Sequence, residues 1–203
     1  MPNYEGSLRR ADLAADPVEQ FANWYAQAER AAPLADATAL ASVDESGAPA
    51  VRFVLMKGFG AAGFDFYTDY RSAKAGQLEA NPHASLAFWW PQLGRQVRIA
   101  GLVTRLDPSE SDAYFSTRPR GAQLGAWAST QSAPIADRAE LERRLEEAAR
   151  RFEGREVERP DHWGGFRLSP RELEFWQQGE GRLHDRFRYR REAEGWTVER
   201  LSP

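Results

Sequence analysis

The sequence predicts an α+β domain that is mainly antiparallel β. Short segments rich in β-branched and aromatic residues recur between residues 37 and 105 and again after residue 163, and turn signals separate them, as in a small barrel. Helical patterns fill the N-terminal part and the stretch between these two regions. With 203 residues, 42% of them hydrophobic, the chain can bury a full core. We therefore expect residues 1–203 to form a single domain.

The first half begins with a helix and continues as strands. Asp16 fits an N-cap and Pro17 the first helical position, after an N-terminal segment, 1–16, that we expect to be flexible. The residues that follow have helical spacing: Val18, Phe21, Trp24, Tyr25 and Ala28. Five strands and one short helix are then predicted: a hairpin of Ala37–Val43 and Pro49–Lys57, a strand Gly63–Thr68, the helix Ser72–Ala80, and a second hairpin of Ala84–Trp90 and Gln96–Arg105.

The second half begins with helices and ends with strands. A helix opens at Asp107-Pro108 and runs to about Ser116, and Asp137–Phe152 is an amphipathic helix with a charged outer face. The small and polar run Gly125–Ser132 reads as a loop that could approach a ligand closely. Four strands complete the domain: Gly164–Leu168, Glu172–Gln177, Arg182–Tyr189 and Trp196–Leu201.

Composition excludes several classes of function. There is no cysteine, which rules out disulfides, thiolate metal sites and cysteine nucleophiles, and the three histidines lie far apart, so we expect no metal site. A formal net charge of −3 provides no global field for nucleic acid or anionic membranes. Neither a phosphate-binding glycine fingerprint nor a serine-nucleophile elbow is present. No apolar signal or membrane-spanning run appears, which favours a cytoplasmic protein.

Local clusters of cations are the candidates for a functional site. Read as a strand, Arg182–Phe187 places Arg182, His184 and Arg186 on one face, which suggests a bound anion and a role for the imidazole; a solvated edge strand is the alternative. Arg52 and Lys57 begin and end an otherwise apolar strand segment. Tyr114 and Arg118 lie four positions apart, so they share a helix face. Trp176, taken alone, reads as a core residue.

Several of these stretches resemble the pyridoxamine 5'-phosphate oxidase family of FMN-dependent enzymes. The similarity extends from about Leu8 to Pro203, and the matching segments occur in the family's order. They are Arg52–Lys57, Phe66–Thr68, Arg95–Val97, Tyr114–Arg120, Gln123–Trp127, Gln131-Ser132, Trp163–Arg167, Glu174–Trp176 and Arg182–Phe187. The resemblance implies an FMN-binding split β-barrel with peripheral helices, assembled as a homodimer with FMN at the subunit interface.

The resemblance also implies roles for individual residues. FMN would contact Arg52, Phe53, Val54, Leu55, Met56, Lys57, Tyr67, Thr68, Lys74, Gln96, Gln131, Ser132, Trp176 and Arg186. The substrate would contact Lys57, Tyr114, Arg118, Arg182, Leu183 and His184, with Arg182 and His184 as catalytic residues. The implied reaction oxidises pyridoxamine or pyridoxine 5'-phosphate with O2 to pyridoxal 5'-phosphate and H2O2.

Two positions depart from the family pattern, and two other functions stay open. Ala73 stands where the family usually has an arginine that contacts the FMN phosphate, and Ala122 where it usually has a serine at the substrate phosphate. A split-barrel flavoprotein that acts on another substrate is one alternative, and it would not need Tyr114, Arg118, Arg182 and His184 together. A non-catalytic carrier of pyridoxal phosphate is the other, and it would purify as a colourless protein.

Overall fold

A closed antiparallel barrel forms the centre of the computed structural model, which describes residues 7–203. Six strands build it in the order β3-β2-β1-β4-β5-β6, and a further pairing between β3 and β6 closes it. Two more strands extend the sheet beyond β6. The strands are β1 (Ala37–Val43), β2 (Pro49–Gly60), β3 (Gly63–Asp69), β4 (His83–Trp90), β5 (Arg95–Arg105), β6 (Trp163–Gln177), β7 (Asp185–Glu192) and β8 (Gly195–Leu201). The predicted α+β class and the predicted barrel are confirmed.

Five helices surround the barrel, and most of them begin at a capping side chain. They are α1 (Pro17–Ala31), α2 (Ala73–Ala80), α3 (Pro108–Thr117), α4 (Arg120–Ala128) and α5 (Arg138–Arg151). The carboxylates of Asp16, Asp107 and Asp137 accept hydrogen bonds from backbone N–H groups of the first turns of α1, α3 and α5. Within residues 7–203, none of the helices is both long enough and apolar enough to cross a membrane.

The apolar face of α1 packs on the main hydrophobic core of the barrel. Phe21 is fully buried, and its ring makes edge-on contacts with Phe64 and Phe88 at centroid distances of 4.9 and 5.2 Å. Trp24 contacts Phe175 in the same way at 5.3 Å. The helix is therefore anchored to three strands, β3, β4 and β6, through aromatic side chains.

A second, smaller core holds the helices α3 to α5 against the start of β6. Phe115, Phe152, Val157 and Trp163 are its buried members. Arg120 strengthens this cluster, because its guanidinium donates to the carbonyl oxygens of Phe152 and Arg155. Trp163 thus belongs to β6 and to the helical cluster at once.

The structure corrects three local predictions from the sequence. Glu180–Arg182 is a 3₁₀ turn, and β7 begins only at Asp185, because Gly181 and Arg182 adopt the left-handed backbone conformation with φ of 59° and 65°. Residues 164–177 lie in one continuous strand, β6, and not in two. Residues 125–128 end α4 and are not a loop, since Ser129 N–H donates to Gly125 O in the helical pattern.

The N-terminal segment contacts β7 where the structure describes it. Residues 1–6 of the segment expected to be flexible lie outside the described residues. Beyond them, Leu8 is buried and its backbone N–H donates to Asp185 Oδ2 at 2.9 Å. The Tyr189 hydroxyl donates to Ala14 O at 2.7 Å. These contacts attach residues 8–14 to β7, and the flexibility expected for residues 1–16 stays a prediction.

A close approach between β5 and β6 at Gly101 gives a test of the barrel. The register shifts between Ala100 and Gly101, and a Cβ at Gly101 would lie 2.1 Å from Ser169 O. Gly101→Ala must therefore displace backbone, and we expect it to lower the free energy of unfolding by about 2 kcal/mol or more. Gly121→Ala in α4, where a Cβ has open space, is the matched control and should stabilise by about 0.5–1 kcal/mol. Equal stability of Gly101→Ala and wild type in denaturant titrations would contradict this packing.

Candidate active site

A cavity of about 530 Å³ opens between β2, β3 and the helical cluster. Its walls combine apolar strand residues with cations and hydroxyl groups. Ten of the residues implied by the resemblance line it: Phe53, Val54, Leu55, Lys57, Tyr67, Thr68, Lys74, Tyr114, Arg118 and Gln131. A cavity of this size is large enough for a cofactor or a drug-sized ligand.

Lys74 lines one side of the cavity and Arg52 lies near it; neither forms an ion pair with a carboxylate within residues 7–203, although the Asp69 carboxylate is close enough to offset part of the lowering of the Lys74 pKa. Lys74 Nζ donates to Thr68 Oγ1 at 3.0 Å and to Gln131 Oε1 at 2.9 Å, and Arg52 binds Gln77 Oε1 at 2.6 Å. Burial lowers the pKa of Lys74, and the nearby positive charge of Arg52 lowers it further. All of these partners are neutral. The arrangement therefore has the charge that a bound phosphate would compensate.

Lys57 lies at a β-bulge beside the cavity. The register between β2 and β3 shifts between Met56 and Gly58, so Lys57 falls outside the regular pairing. Its Nζ forms an ion pair with Asp36 Oδ2 at 2.6 Å. Lys57 is thus held at the cavity by Asp36, a residue that the sequence did not indicate.

A cluster of aromatic side chains packs against Arg118, the remaining cation that lines the cavity. The rings of Tyr67 and Tyr114 stack at a centroid distance of 3.9 Å, and Trp163 lies nearly parallel to both. The guanidinium of Arg118 lies over Trp163 at 4.4 Å. Burial raises the pKa of Tyr67 to about 12, so its phenol stays neutral at pH 7. Arg118 Nη1 is buried and, among residues 7–203, has no hydrogen-bond partner.

The residues after α4 are fixed by Asp69 at the end of β3. Arg71 binds both carboxylate oxygens of Asp69 and donates from Nη2 to Ser129 O at 3.0 Å. Ser129 and Gln131 both line the cavity. Burial by itself would raise the pKa of Asp69, but the hydrogen bonds from Arg71 outweigh it and hold the pKa below its ordinary value.

The other residues implied by the resemblance do not line this cavity. Gln96, Trp176 and Arg186 occupy directly paired positions on β5, β6 and β7, and the His184 ring lies 4.5 Å from that of Trp176. Trp176 is only partly buried, and Arg182 and Leu183 are exposed. The Met56 side chain is buried in the barrel core, and Ser132 is exposed next to Gln131. Within one chain, the implied residues thus form two separate groups.

The sequence missed Trp163, Asp36 and Asp69 as parts of this region. Trp163 stood in a matching segment, Trp163–Arg167, and its place before two glycines was the available signal. A Cβ at Gly165 would lie 2.8 Å from the Tyr67 ring, so this glycine leaves the space that Tyr67 fills. Nothing in the local sequence pairs Asp36 with Lys57 or indicates that Arg71 links Asp69 to Ser129.

Comparison with family models identifies the protein family to which the chain belongs. The model of pyridoxamine 5'-phosphate oxidase matches residues 24–152, and that of the pyridoxine 5'-phosphate oxidase C-terminal dimerisation region matches residues 163–203. The chain belongs to the pyridoxamine 5'-phosphate oxidase family. Together the two family models cover both groups of site residues, the cavity and the strands β6 to β8.

Individual relatives of the family support this membership over nearly the full length. A pyridoxine/pyridoxamine 5'-phosphate oxidase of Rubrobacter xylanophilus is 53% identical and covers 93% of this chain and 87% of its own length. The pyridoxine/pyridoxamine 5'-phosphate oxidase of Synechocystis is 49% identical and covers 99% of this chain and 95% of its own length. The structure of PhzG from Burkholderia lata, solved with tetrahydrophenazine-1-carboxylic acid, is similar with a TM-score of 0.89 and 30% sequence identity. The match covers 100% of this chain and 97% of PhzG. An FMN binding protein of Nostoc punctiforme shares the fold, with a TM-score of 0.73 at 24% identity.

The ion pair between Asp69 and Arg71 can be tested through the pH dependence of stability. Asp69→Asn removes the charge that holds Arg71, so we expect it to lower the free energy of unfolding at pH 7 by about 1.5–3 kcal/mol. Because the folded-state pKa of Asp69 is depressed, its contribution is present above the ordinary aspartate pKa of about 4 and is lost as the pH falls through the folded-state value. Denaturant titrations at pH 7 and below pH 4 measure this. A difference between the two proteins that is the same at both pH values would contradict the role of the Asp69 charge.

Proposed function

We propose that this chain is an oxidase that converts pyridoxine 5'-phosphate and pyridoxamine 5'-phosphate to pyridoxal 5'-phosphate, with FMN as its cofactor and O2 as the electron acceptor. Membership of the family and relatives at about half identity, all named pyridoxine/pyridoxamine 5'-phosphate oxidase, support the activity. The observation that carries the proposal is the cavity: within residues 7–203, Lys74 has only neutral hydrogen-bond partners, and Arg118 Nη1 is a buried donor with no partner.

The pair Arg52 and Lys74 fits the phosphate of FMN. Both cations are hydrogen-bonded only to neutral groups, and Thr68, Ser72 and Gln131 surround the ammonium group. A phosphate dianion would compensate both charges and accept hydrogen bonds from them. Ala73 is the exposed first residue of α2 and adds no cation there, so this chain would rely on Arg52 and Lys74.

The residues Lys57, Tyr114 and Arg118 fit the phosphate of the substrate. All three line the cavity, and Arg118 Nη1 is the buried donor that lacks a partner. An unsatisfied buried donor costs about 1–3 kcal/mol, which a ligand oxygen in that place would recover. Ala122 lies in the first turn of α4 and is not among the residues that line the cavity. The site therefore depends on these three side chains.

A second copy of the chain would complete the site. Gln96 lies three strands away from Leu55 in the sheet order, or about 14 Å at the usual spacing between strands. Trp176, Arg182, His184 and Arg186 fall in the region that matches the dimerisation model. On β2, the alternating residues Val51, Phe53 and Leu55 expose apolar side chains, 78% of Phe53 being accessible. We propose that these surfaces meet in a homodimer and that FMN lies at the interface.

In the proposed reaction, FMN would supply the redox chemistry, and the protein would bind and orient the substrate. With FMN held by these residues, a hydride would leave the C4' carbon of the substrate and two electrons would then pass to O2 to give H2O2. The protein binds the two phosphates and orients the ring, and it excludes water through the apolar strand residues of β2. Arg182 supplies a fixed positive charge and His184 a hydrogen bond at the substrate ring. For the amine substrate, hydrolysis of the resulting imine gives the aldehyde and ammonia.

A second candidate function is the oxidation of a ring substrate that carries no phosphate. The similarity to PhzG over the full chain favours it. The three side chains Lys57, Tyr114 and Arg118 favour a phosphorylated substrate, since a carboxylic acid would leave part of their charge and donors unused. The location of the protein in the cytoplasm remains a prediction from the sequence.

Three measurements on the purified protein test the proposal. We expect a yellow protein with a flavin spectrum, H2O2 release with pyridoxine 5'-phosphate, and a far lower kcat/KM with pyridoxine, which lacks the phosphate. Arg118→Ala should raise KM for the phosphate ester about tenfold or more, because a charge-assisted hydrogen bond contributes about 1.5–3 kcal/mol. It should leave FMN content unchanged.

Arg138→Ala is the matched control for this variant. Arg138 is an exposed arginine of α5 whose one ion-pair partner among the described residues is Glu142, and its replacement should change neither KM nor FMN content. Equal kcat/KM for pyridoxine and its phosphate in the wild type would contradict the proposed substrate. A colourless protein that binds pyridoxal phosphate without turnover would indicate the non-catalytic carrier instead.

A further inference from the structure

The loop between β6 and β7 is closed by a hydrogen bond from its first residues to the ring of His184. The backbone N–H of Gly179 donates to His184 Nδ1, with 3.2 Å between the two nitrogens. Inside the loop, Leu183 N–H donates to Glu180 O at 2.9 Å. Arg182 lies between these two points with its left-handed backbone. The Gly179–His184 bond therefore spans the segment that carries Arg182.

The direction of this bond determines where the proton of His184 is located. A backbone N–H can only donate, so Nδ1 must offer a lone pair and carry no hydrogen. A neutral imidazole has one N–H group, which must then be on Nε2. An imidazolium has a hydrogen on both nitrogens and could not accept this bond. The bond thus selects one neutral tautomer of His184.

A contact with Trp176 limits how the ring can move, and the space around Gly179 limits which residue can stand at that position. The ring of His184 lies against that of Trp176, 4.5 Å between centroids with a tilt of 39°. Gly179 has no room for a side chain, because a Cβ there would lie 2.0 Å from Leu183 O. The glycine is what allows its own amide to come close to the ring.

The Nε2 atom has no hydrogen-bond partner in the part of the chain that the structure describes. The only hydrogen bond recorded for this ring is the one at Nδ1, and the side chain is partly exposed. A half-exposed ring whose Nδ1 is occupied by the backbone and whose Nε2 is unused presents a single donor to its surroundings. A ligand atom next to it must therefore be an acceptor.

We propose that the Gly179 amide fixes His184 as the Nε2-protonated neutral tautomer, so that His184 gives the substrate ring a hydrogen bond and is not the base of the reaction. Gly179 is a positioning residue in this view, and it acts through His184. This inference rests on the proposed function for the identity of the ligand. The tautomer itself follows from the geometry alone, and the two statements can be tested separately.

Ring-nitrogen NMR of the FMN-bound dimer tests the tautomer directly. The chain has three histidines, His83, His162 and His184, so ¹⁵N-histidine labelling gives few signals, and His184→Asn identifies those of His184. At alkaline pH, where free imidazole is neutral, we expect a pyridine-type Nδ1 and a pyrrole-type Nε2 that do not interconvert. A pyrrole-type Nδ1, or averaged signals of both tautomers, would overturn the proposal.

Two substitutions separate the bond to Gly179 from the donor at Nε2. Asn at position 184 places an amide oxygen near the Nδ1 position, and Gln places an amide nitrogen near the Nε2 position. We expect His184→Asn to keep slow hydrogen exchange of the Gly179 amide and His184→Gln to speed it about tenfold or more. His184→Ala, which has neither group, should exchange like the Gln variant. Equal exchange rates in all four proteins would contradict the bond.

Steady-state kinetics of the same variants test whether His184 Nε2 donates a hydrogen bond to the substrate. We expect His184→Asn to lower kcat/KM by about tenfold or more while His184→Gln retains a larger share, since only Gln can donate near the Nε2 position. Full activity of His184→Asn would overturn the role of Nε2 as donor. Should the wild type show the predicted tautomer but no oxidation of either phosphate ester, the proposed function would be wrong, and with it the assignment of the substrate ring as acceptor.

Discussion

The pairing of β6 with three other strands is the constraint on which the rest of the molecule depends. This strand of 15 residues pairs with β3 at its start, with β5 along its length and with β7 at its end. It would be about 50 Å long if it were straight. It therefore closes the barrel at one end and carries the sheet beyond the barrel at the other. Trp163 and Trp176 stand near its two ends and are placed in different parts of the molecule.

The two groups of site residues follow from this arrangement. The start of β6 carries Trp163, which supports Arg118 and the tyrosine pair at the cavity. The end of β6 carries Trp176, which packs against His184. Because a single strand places these groups apart, the site that we propose draws on a second chain. The exposed apolar row on β2 and the match to a dimerisation region agree with that requirement.

The order of the elements could be predicted from the sequence, but several details of the site could not. Hairpins and helix starts have local signals, such as the turn after Val43 or the N-cap Asp16, and these predictions were confirmed. The prediction that Arg182, His184 and Arg186 share one face of a strand was wrong, because two successive residues with left-handed backbone conformation precede the strand. The ion pair of Lys57 with Asp36 and the bond of Arg71 to Ser129 join residues that only the folded chain brings together. The roles of individual site residues remain predictions from the resemblance.

Complementation between two variants with impaired kcat/KM tests most directly whether one site needs two chains. Arg118→Ala damages the cavity group, and Arg182→Ala damages the group at the end of β6. After subunit exchange, a mixed dimer would have one site with both defects and one intact site. Since half of the dimers would be mixed, we expect kcat/KM, measured well below the wild-type KM, to recover to about a quarter of wild type from two proteins that each have about a tenth or less. No recovery, although mass spectrometry shows mixed dimers, would contradict the account, because it would mean that each chain builds its site alone.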